Sequence, residues 1–277
     1  LHAETAIKKA ITANPELAAL NVSVFAQGSY RARTNVRLNS DVDICVRYND
    51  TFFEQYPAGK TRSDFGNIPG TMDFSRFKNL VQSSLEDYFS DSTVTRGNKA
   101  FDVHANSYRV DADVVPTFEY RWYTGNLNSD STQHYHSGVA FDPDTGGRVI
   151  NWPQQVYDNG VARNSETSRS YKRVIRILKR LKDRMKEEGV PQGETTPSFL
   201  IECLVWNAPV EAFSKDTYSE ILRHVIADLW NRTRNDDDCR EWGEVSEFKY
   251  LFFAAQPWTR QQANDFLQSA WDYIGYK

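Results

Sequence analysis

Gly28-Ser29, followed after eleven residues by Asp41-Val42-Asp43-Ile44-Cys45-Val46, decides how this chain reads. Side chains along a strand alternate between its two faces, so Asp41 and Asp43 project to one side while Val42, Ile44 and Val46 project to the other. The apolar side is built to pack, and the acidic side is left for chemistry. Just upstream, a tight glycine turn exposes backbone N–H groups that can hold phosphate oxygens. Read together, the stretch predicts a phosphate cradle beside two carboxylates.

Such a site needs a core behind it, and 277 residues with 40% hydrophobic and 13% aromatic content provide one, as a single large domain or two small ones. The net charge of −4, from 33 Lys+Arg and 37 Asp+Glu, gives no global electrostatic case for a long nucleic acid. Any phosphate affinity is therefore local. One excess stands out, formed by Lys172, Arg173, Arg176, Lys179, Arg180, Lys182, Arg184 and Lys186 within one segment. No apolar run approaches the roughly 20 residues of a membrane helix, and the richest, Phe199 to Val205, is interrupted by Glu202. Leu1-His2-Ala3-Glu4 has neither the basic nor the apolar region of a signal peptide, and Cys45, Cys203 and Cys239 lie far apart. A reducing, cytoplasmic setting without a disulfide or zinc framework is the expectation.

Periodicity places the elements. Helical spacing over 3–13 stops at Asn14-Pro15, a strand over 22–26 leads into Gly28, and a second strand runs over 41–48. A loop over 56–71 precedes a helix over 74–89. Two β-rich runs, 100–104 and 107–115, read as an antiparallel pair, the second ending at Pro116. In that second run Tyr108, Val110, Ala112 and Val114 share one face, and Arg109, Asp111 and Asp113 the other. Residues 126–137 read as a polar loop and 139–150 as a hairpin around Asp144-Thr145-Gly146-Gly147. From Ser165 the pattern is helical: Tyr171, Val174, Ile177, Leu178, Leu181 and Met185 recur at three- and four-residue steps, with the basic residues on the wet side, until Gly189 and Pro191 end the helix. Further helices are expected over 197–206, 217–233 and 260–274. The prediction is an α/β (α+β) chain with a mixed-sheet lobe over 1–150 and an all-helical lobe over 151–277.

Magnesium prefers oxygen ligands and is usually held by one or two carboxylates plus substrate phosphates. Asp41 and Asp43 suit that role, and a third acid from a neighbouring strand would complete a two-metal site. Asp113 is the candidate, with Asp111 its rival on the same face. Residues i and i+2 of a strand are about 6.6 Å apart. Two carboxylates at that spacing repel by roughly 2–3 kcal/mol at an effective dielectric of about 20, and by well under about 1 kcal/mol in open water. A solvated Asp-x-Asp is therefore cheap, whereas three converging acids call for a cation. His104, His134 and His136 have no metal-ligand spacing and read as structural, and Asp236-Asp237-Asp238 reads as a wet loop.

Gly28-Ser29, Asp41-Val42-Asp43 and Asp113-Val114-Val115-Pro116 resemble the signature of the polymerase-β-type nucleotidyltransferases. More narrowly, the chain is similar to the bacterial cyclic GMP-AMP synthase/DncV-like nucleotidyltransferases (CD-NTases), kin of the oligoadenylate synthases. The likeness continues through Asn159-Gly160, Arg163-Asn164, Thr167, Tyr171-Lys172-Arg173, Val174 and Arg176-Ile177-Leu178-Lys179 to Pro197-Ser198-Phe199-Leu200-Ile201-Glu202, and so runs from about residue 20 to about residue 206. The resemblance implies a two-lobed nucleotidyltransferase fold with the active site in the cleft. Asp41, Asp43 and Asp113 would bind two Mg²⁺ ions, or Mn²⁺, and Asp113 would help deprotonate the attacking ribose hydroxyl. Gly28 and Ser29 would hold the β- and γ-phosphates, Lys172 and Ser198 would add phosphate contacts, Phe199 would lie against a base and Gln27 would touch a nucleotide. Two nucleoside triphosphates would become a cyclic dinucleotide and pyrophosphate, the product activating a separate effector in antiphage signalling. A monomer is expected. Asn151, Asn159 and Asn164 offer donor and acceptor together, as reading a base edge requires, so a pyrimidine substrate is open. The alternatives are a template-free linear oligonucleotide synthase, an RNA-end nucleotidyltransferase, or a nucleotide-binding module without turnover.

Overall fold

The computed structural model describes residues 2–36, 41–104 and 111–276. They form two compact units: Leu1–Arg31 with Arg37–Gln154, and Ala32–Val36 with Gln155–Lys277. In the first unit α1 (His2–Ala13) buries Ala3, Ile7, Ala10 and Ile11 along one stripe. Asn14 caps α2 (Pro15–Ala18) by accepting the N–H groups of Glu16 and Leu17, with proline at the first position, where no donor is needed. Then come β1 (Val22–Ala26), α3 (Gly28–Ala32), β2 (Val42–Gln55) and α4 (Phe74–Phe89), the last capped by Asp73. The sheet is completed by β3 (Val94–Arg96), β4 (Phe101–Val103), β5 (Ala112–Leu127), β6 (Gln133–Phe141) and β7 (Val149–Asn151).

The strand order is β1-β2-β5-β4-β3, with β6 pairing both β5 and β7. β2 and β5 run parallel, and the other pairs are antiparallel. Val42, Ile44 and Val46 with Ala112, Val114 and Phe118 make the inner face, in one core with Ile7 and Ile11 of α1 and Phe77, Val81 and Leu85 of α4. Each such side chain contributes roughly 1.5–3 kcal/mol by leaving water. That burial forces the acidic alternate residues of β2 and β5 onto the opposite face.

Three expectations need correction. β2 continues to Gln55, with a register shift between Tyr48 and Phe52. β5 does not end at Pro116 but runs through it to Leu127. Val42 N donates to Asp111 O at 3.0 Å, so odd-numbered residues of β5 turn their backbone groups to β2 and even-numbered ones turn away. Pro116 falls between the β4 ladder, whose last pair is at Val114, and the β6 ladder, whose first is at Phe118. Its missing N–H is thus required by no strand. The supposed loop over 126–137 is mostly strand, because Trp122 pairs with His136 and Tyr123 with Tyr135 across β5 and β6, and such aromatic pairs stabilise a ladder in place of a buried aliphatic face. The 107–110 part of the expected strand, with Tyr108, Arg109 and Val110, lies outside the described residues.

The second unit is helical: α5 (Pro153–Glu166), α6 (Ser170–Glu187), α7 (Pro191–Thr195), α8 (Ser198–Trp206), α9 (Tyr218–Thr233) and α10 (Arg260–Ile274). The helical pattern therefore begins at Pro153, ahead of Ser165, and breaks between α5 and α6, where Ser168 and Arg169 have φ of 49° and 70°. Thr167 bridges the break, its hydroxyl donating to Arg163 O and accepting Tyr171 N–H. Capping boxes open α9 (Thr217 with Glu220) and α10 (Thr259 with Gln262). Tyr171, Val174, Ile175 and Leu178 of α6 share one core with Leu200, Ile201 and Leu204 of α8, Val225, Ile226 and Leu229 of α9, and Phe266 and Leu267 of α10. The basic side of α6 is not uniformly wet: Lys172 and Lys179 are buried. Among the described residues, no helix is long and apolar enough to cross a membrane. All three cysteines are free.

Candidate active site

Register builds the acidic site. Asp43 of β2 pairs with Asp113 of β5 in the parallel ladder, and Asp113 pairs with Asp102 of β4 in the antiparallel one. The three aspartates stand abreast on neighbouring strands, on the face turned from the core. Asp41 lies exposed just before β2. Asp113 is half-buried, and its pKa is pushed up to about 7 by burial, by a hydrogen bond with Asp102, and by the charges of Asp43, Asp102 and Asp41. Asp111, the rival on the same face, has His104 Nδ1 4.0 Å from its carboxylate. Asp102 was not singled out from the sequence, although Phe101-Asp102-Val103 repeats the apolar-acid-apolar rhythm of Val42-Asp43-Ile44.

Gly28 sits against this row. Gln27 N donates to Asp43 O at 2.8 Å, and Gly28 then takes φ +60°, where a Cβ would fall 2.0 Å from Asp43 Oδ2. A larger residue would displace the Asp43 carboxylate and strain the backbone. The expected glycine turn is the opening of α3, which places Ser29 in its first turn. Beside Asp43, on the same face, Cys45 Sγ lies 3.1 Å from Thr117 Oγ1, and burial pushes the thiol up to about 12. Cys45 therefore stays protonated and supplies no nucleophile. Among the described residues, no group of three or more His, Cys, Asp or Glu side chains forms a ready-made metal cage.

On the helical unit, Lys172 is only 7% exposed. Gly160 leaves room for it, since a Cβ there would lie 3.7 Å from Lys172 Cε, and the ammonium sits 5.7 Å from the centre of the Tyr157 ring. Burial, followed by the charge of Arg33, lowers its pKa; the charge of Glu202 opposes the shift and Arg176 adds to it. Ser198 opens α8, and its hydroxyl accepts from Lys182 Nζ at 2.8 Å. Phe199 is partly buried against the helical core and meets Trp258 edge-on, with ring centres 6.2 Å apart. Two of the candidate base-reading amides are engaged in the fold: Asn159 Nδ2 donates to Val245 O at 2.8 Å, and Asn164 Oδ1 accepts Lys172 N–H at 3.1 Å. Asn151 is exposed at the end of β7. A further buried group, Glu202, accepts from Lys179 Nζ and from Thr34 Oγ1, the latter at 2.9 Å.

Residues 158–275 match the family model of the cGAS/DncV-like nucleotidyltransferase C-terminal helical domain. The chain is 40% identical over 285 residues to a cyclic dipyrimidine nucleotide synthase CdnE of Legionella pneumophila, covering 99% of this chain and 90% of that protein. It is 38% identical over 276 residues to a cyclic dipyrimidine nucleotide synthase CdnE of Cecembia lonarensis, covering 99% and 92%. The solved structure of Rhodothermus marinus CdnE c-UMP-AMP synthase with Apcpp and Upnpp matches with a TM-score of 0.85 and 30% identity, over 99% of this chain and 90% of that one. Fold, helical domain and whole-length identity agree, and the chain belongs to the cGAS/DncV-like nucleotidyltransferases as an enzyme of the cyclic dinucleotide synthase class.

Proposed function

We propose that the enzyme joins two nucleoside triphosphates, at least one of them a pyrimidine nucleotide, into a cyclic dinucleotide with release of two pyrophosphates. The observation that carries the chemistry is the register pairing of Asp43 with Asp113 beside Gly28. The pyrimidine choice is supported by the relatives, two of them named dipyrimidine synthases and one a UMP-AMP synthase. Carboxylates crowded enough to hold Asp113 protonated up to about pH 7 are a setting that a divalent cation relieves. Asp41, Asp43 and Asp113 would hold Mg²⁺ or Mn²⁺, which when bound supplies charge neutralisation for the triphosphate and its departing pyrophosphate.

The remaining work belongs to side chains. Asp113 takes the proton of the attacking ribose hydroxyl, whose oxygen forms a bond to the α-phosphorus as the bond from that phosphorus to pyrophosphate breaks. A second turn of the same step closes the ring. Gly28 N–H and Ser29 Oγ bind phosphate oxygens, Lys172 and Ser198 are phosphate-binding residues of the helical unit, Gln27 touches the nucleotide and Phe199 supports a base. Catalysis then rests on positioning and charge stabilisation, with no covalent enzyme intermediate. The product is a messenger read by a separate effector protein.

The test is incubation with each labelled ribonucleoside triphosphate singly and in all pairs with Mg²⁺, followed by phosphatase treatment and product separation. A phosphatase-resistant dinucleotide containing a pyrimidine is expected. A phosphatase-sensitive ladder would make the enzyme a linear oligonucleotide synthase. Pyrophosphate release no greater than that of Asp43→Ala would sink the reaction altogether.

A further inference from the structure

The charges of α6 divide sharply. Lys179, Arg180, Lys182, Arg184 and Lys186 each have a carboxylate within ion-pair reach. Among the described residues, Lys172 and Arg176 have none, and Arg173 is turned to the Tyr218 hydroxyl. Lys172 and Arg176 are one helical turn apart on one side of α6, and Lys179 lies almost a further turn along. Against this stripe runs the segment Ala32–Val36, which groups with the helical unit although it follows α3 in sequence. Its course is set by two bonds: Arg176 Nη1 donates to Arg33 O at 2.7 Å, and the buried Thr34 donates to Glu202, the partner of Lys179. Arg33 is held at φ 57° and its side chain is exposed. A non-glycine residue rarely adopts that region, and the surrounding bonds hold it there.

Here Arg33, Lys172 and Arg176 gather with no carboxylate within ion-pair reach among the described residues, the charge of Glu202 acting on Lys172 only from beyond that distance, while every later cation of the same helix is ion-paired. Bringing like charges together unpaired is unfavourable unless an anion is to be received. We propose that Arg33, set beside Lys172 and Arg176 on the helical unit, is a further phosphate-binding residue for the triphosphate tail of the nucleotide substrate. The assignment rests on the nucleotidyltransferase reading above. A guanidinium suits the role because its planar fork donates two parallel hydrogen bonds to phosphate oxygens.

Two separate readouts test it on the full chain. In steady-state turnover Arg33→Gln should raise the triphosphate KM about tenfold, the loss expected for one charge-assisted contact, with kcat within about twofold of the parent. Arg33→Lys should recover part of the KM, and Arg180→Gln, which alters an exposed cation paired with Glu187, should leave it unchanged. In calorimetric titration with tripolyphosphate, Arg33→Gln and Arg176→Gln should weaken binding and Arg180→Gln should not. Tripolyphosphate affinity and KM in Arg33→Gln equal to those of Arg180→Gln overturn the assignment while leaving the reaction standing. Intact tripolyphosphate binding without any turnover by the parent enzyme would instead reject the reaction and keep the anion site.

Discussion

Gly28 and Asp43 are so close that a single methyl group on the glycine would lie 2.0 Å from a carboxylate oxygen. The sequence places them fifteen residues apart, and the β1–β2 ladder, extended by the Gln27 N–H to Asp43 O bond, folds one onto the other. The backbone turn and the carboxylate that we propose for phosphate and metal are thereby fixed in one small volume.

That contact makes Gly28→Ala a severe lesion of activity and a mild one of fold. The variant should lose about a hundredfold or more in kcat, because displacing a reacting group by about 1 Å costs that much. Stability should fall by only about 1–2 kcal/mol from the positive φ. Pyrophosphate release and thermal melting of the same preparation check both. An active Gly28→Ala enzyme would mean that Asp43 need not stay where it is.

Asp113 links activity to pH through its neighbours. In the metal-free protein it keeps its proton up to about pH 7, whereas an unfolded aspartate gives it up near pH 3.9. The folded state binds more protons between these limits, so the stability from this group is full below about pH 4 and is lost as pH rises through about 7. With a chelator present, the parent melting temperature should show a downward component between about pH 4 and 7 that Asp113→Asn removes and saturating Mg²⁺ suppresses. Identical pH slopes in parent and variant would count against the crowding of these carboxylates. Asp102→Asn, by removing one of those charges, should shift the transition to lower pH.

Lys179 and Glu202 form a buried ion pair, 3% and 6% exposed, with Thr34 as a second donor to the same glutamate. Removing one partner strands a charge in the core, so Glu202→Ala should cost about 3–5 kcal/mol. The double variant Lys179→Met, Glu202→Leu should recover most of that loss, since a packed apolar pair replaces two desolvated ions. Urea denaturation of the three proteins decides it, and a Glu202→Ala cost below about 1 kcal/mol would show that the pair is solvated.

Lys172 should show the opposite balance. Its ammonium is buried with no carboxylate in ion-pair reach among the described residues and the charge of Glu202 only at longer range, so Lys172→Met should melt no lower than the parent. The same change should raise the triphosphate KM roughly tenfold or more through the lost phosphate contact. Stability and affinity moving in opposite directions is the expected mark of a residue kept for binding. A variant that loses stability with an unaltered KM would assign Lys172 to the fold alone.

Much of this was legible in the linear chain because it depends on near neighbours. The alternation of Asp41-Val42-Asp43-Ile44 and the helical steps of Tyr171 to Met185 act over a few residues, and helices or strands at those places follow from local spacing. Elements whose identity rests on distant partners were not legible. β5 passes through Pro116 only because β4 ends and β6 begins on either side of it, and the polar run over 133–137 becomes strand because aromatic residues of β5 lie opposite.

The acids follow the same division. Spacing singled out Asp41 and Asp43 as residues able to carry metal chemistry, since residue type and face are local properties, but left Asp111 and Asp113 as rivals on one face, between which the Val114-Val115-Pro116 context and the family resemblance favoured Asp113. That Asp102 joins Asp113, that Glu202 pairs directly with Lys179 and reaches Lys172 only through its field, and that Arg33 lies along α6 were decided by tertiary structure alone. Charge acts through space and burial, and both are set by residues tens to more than a hundred positions away in the chain.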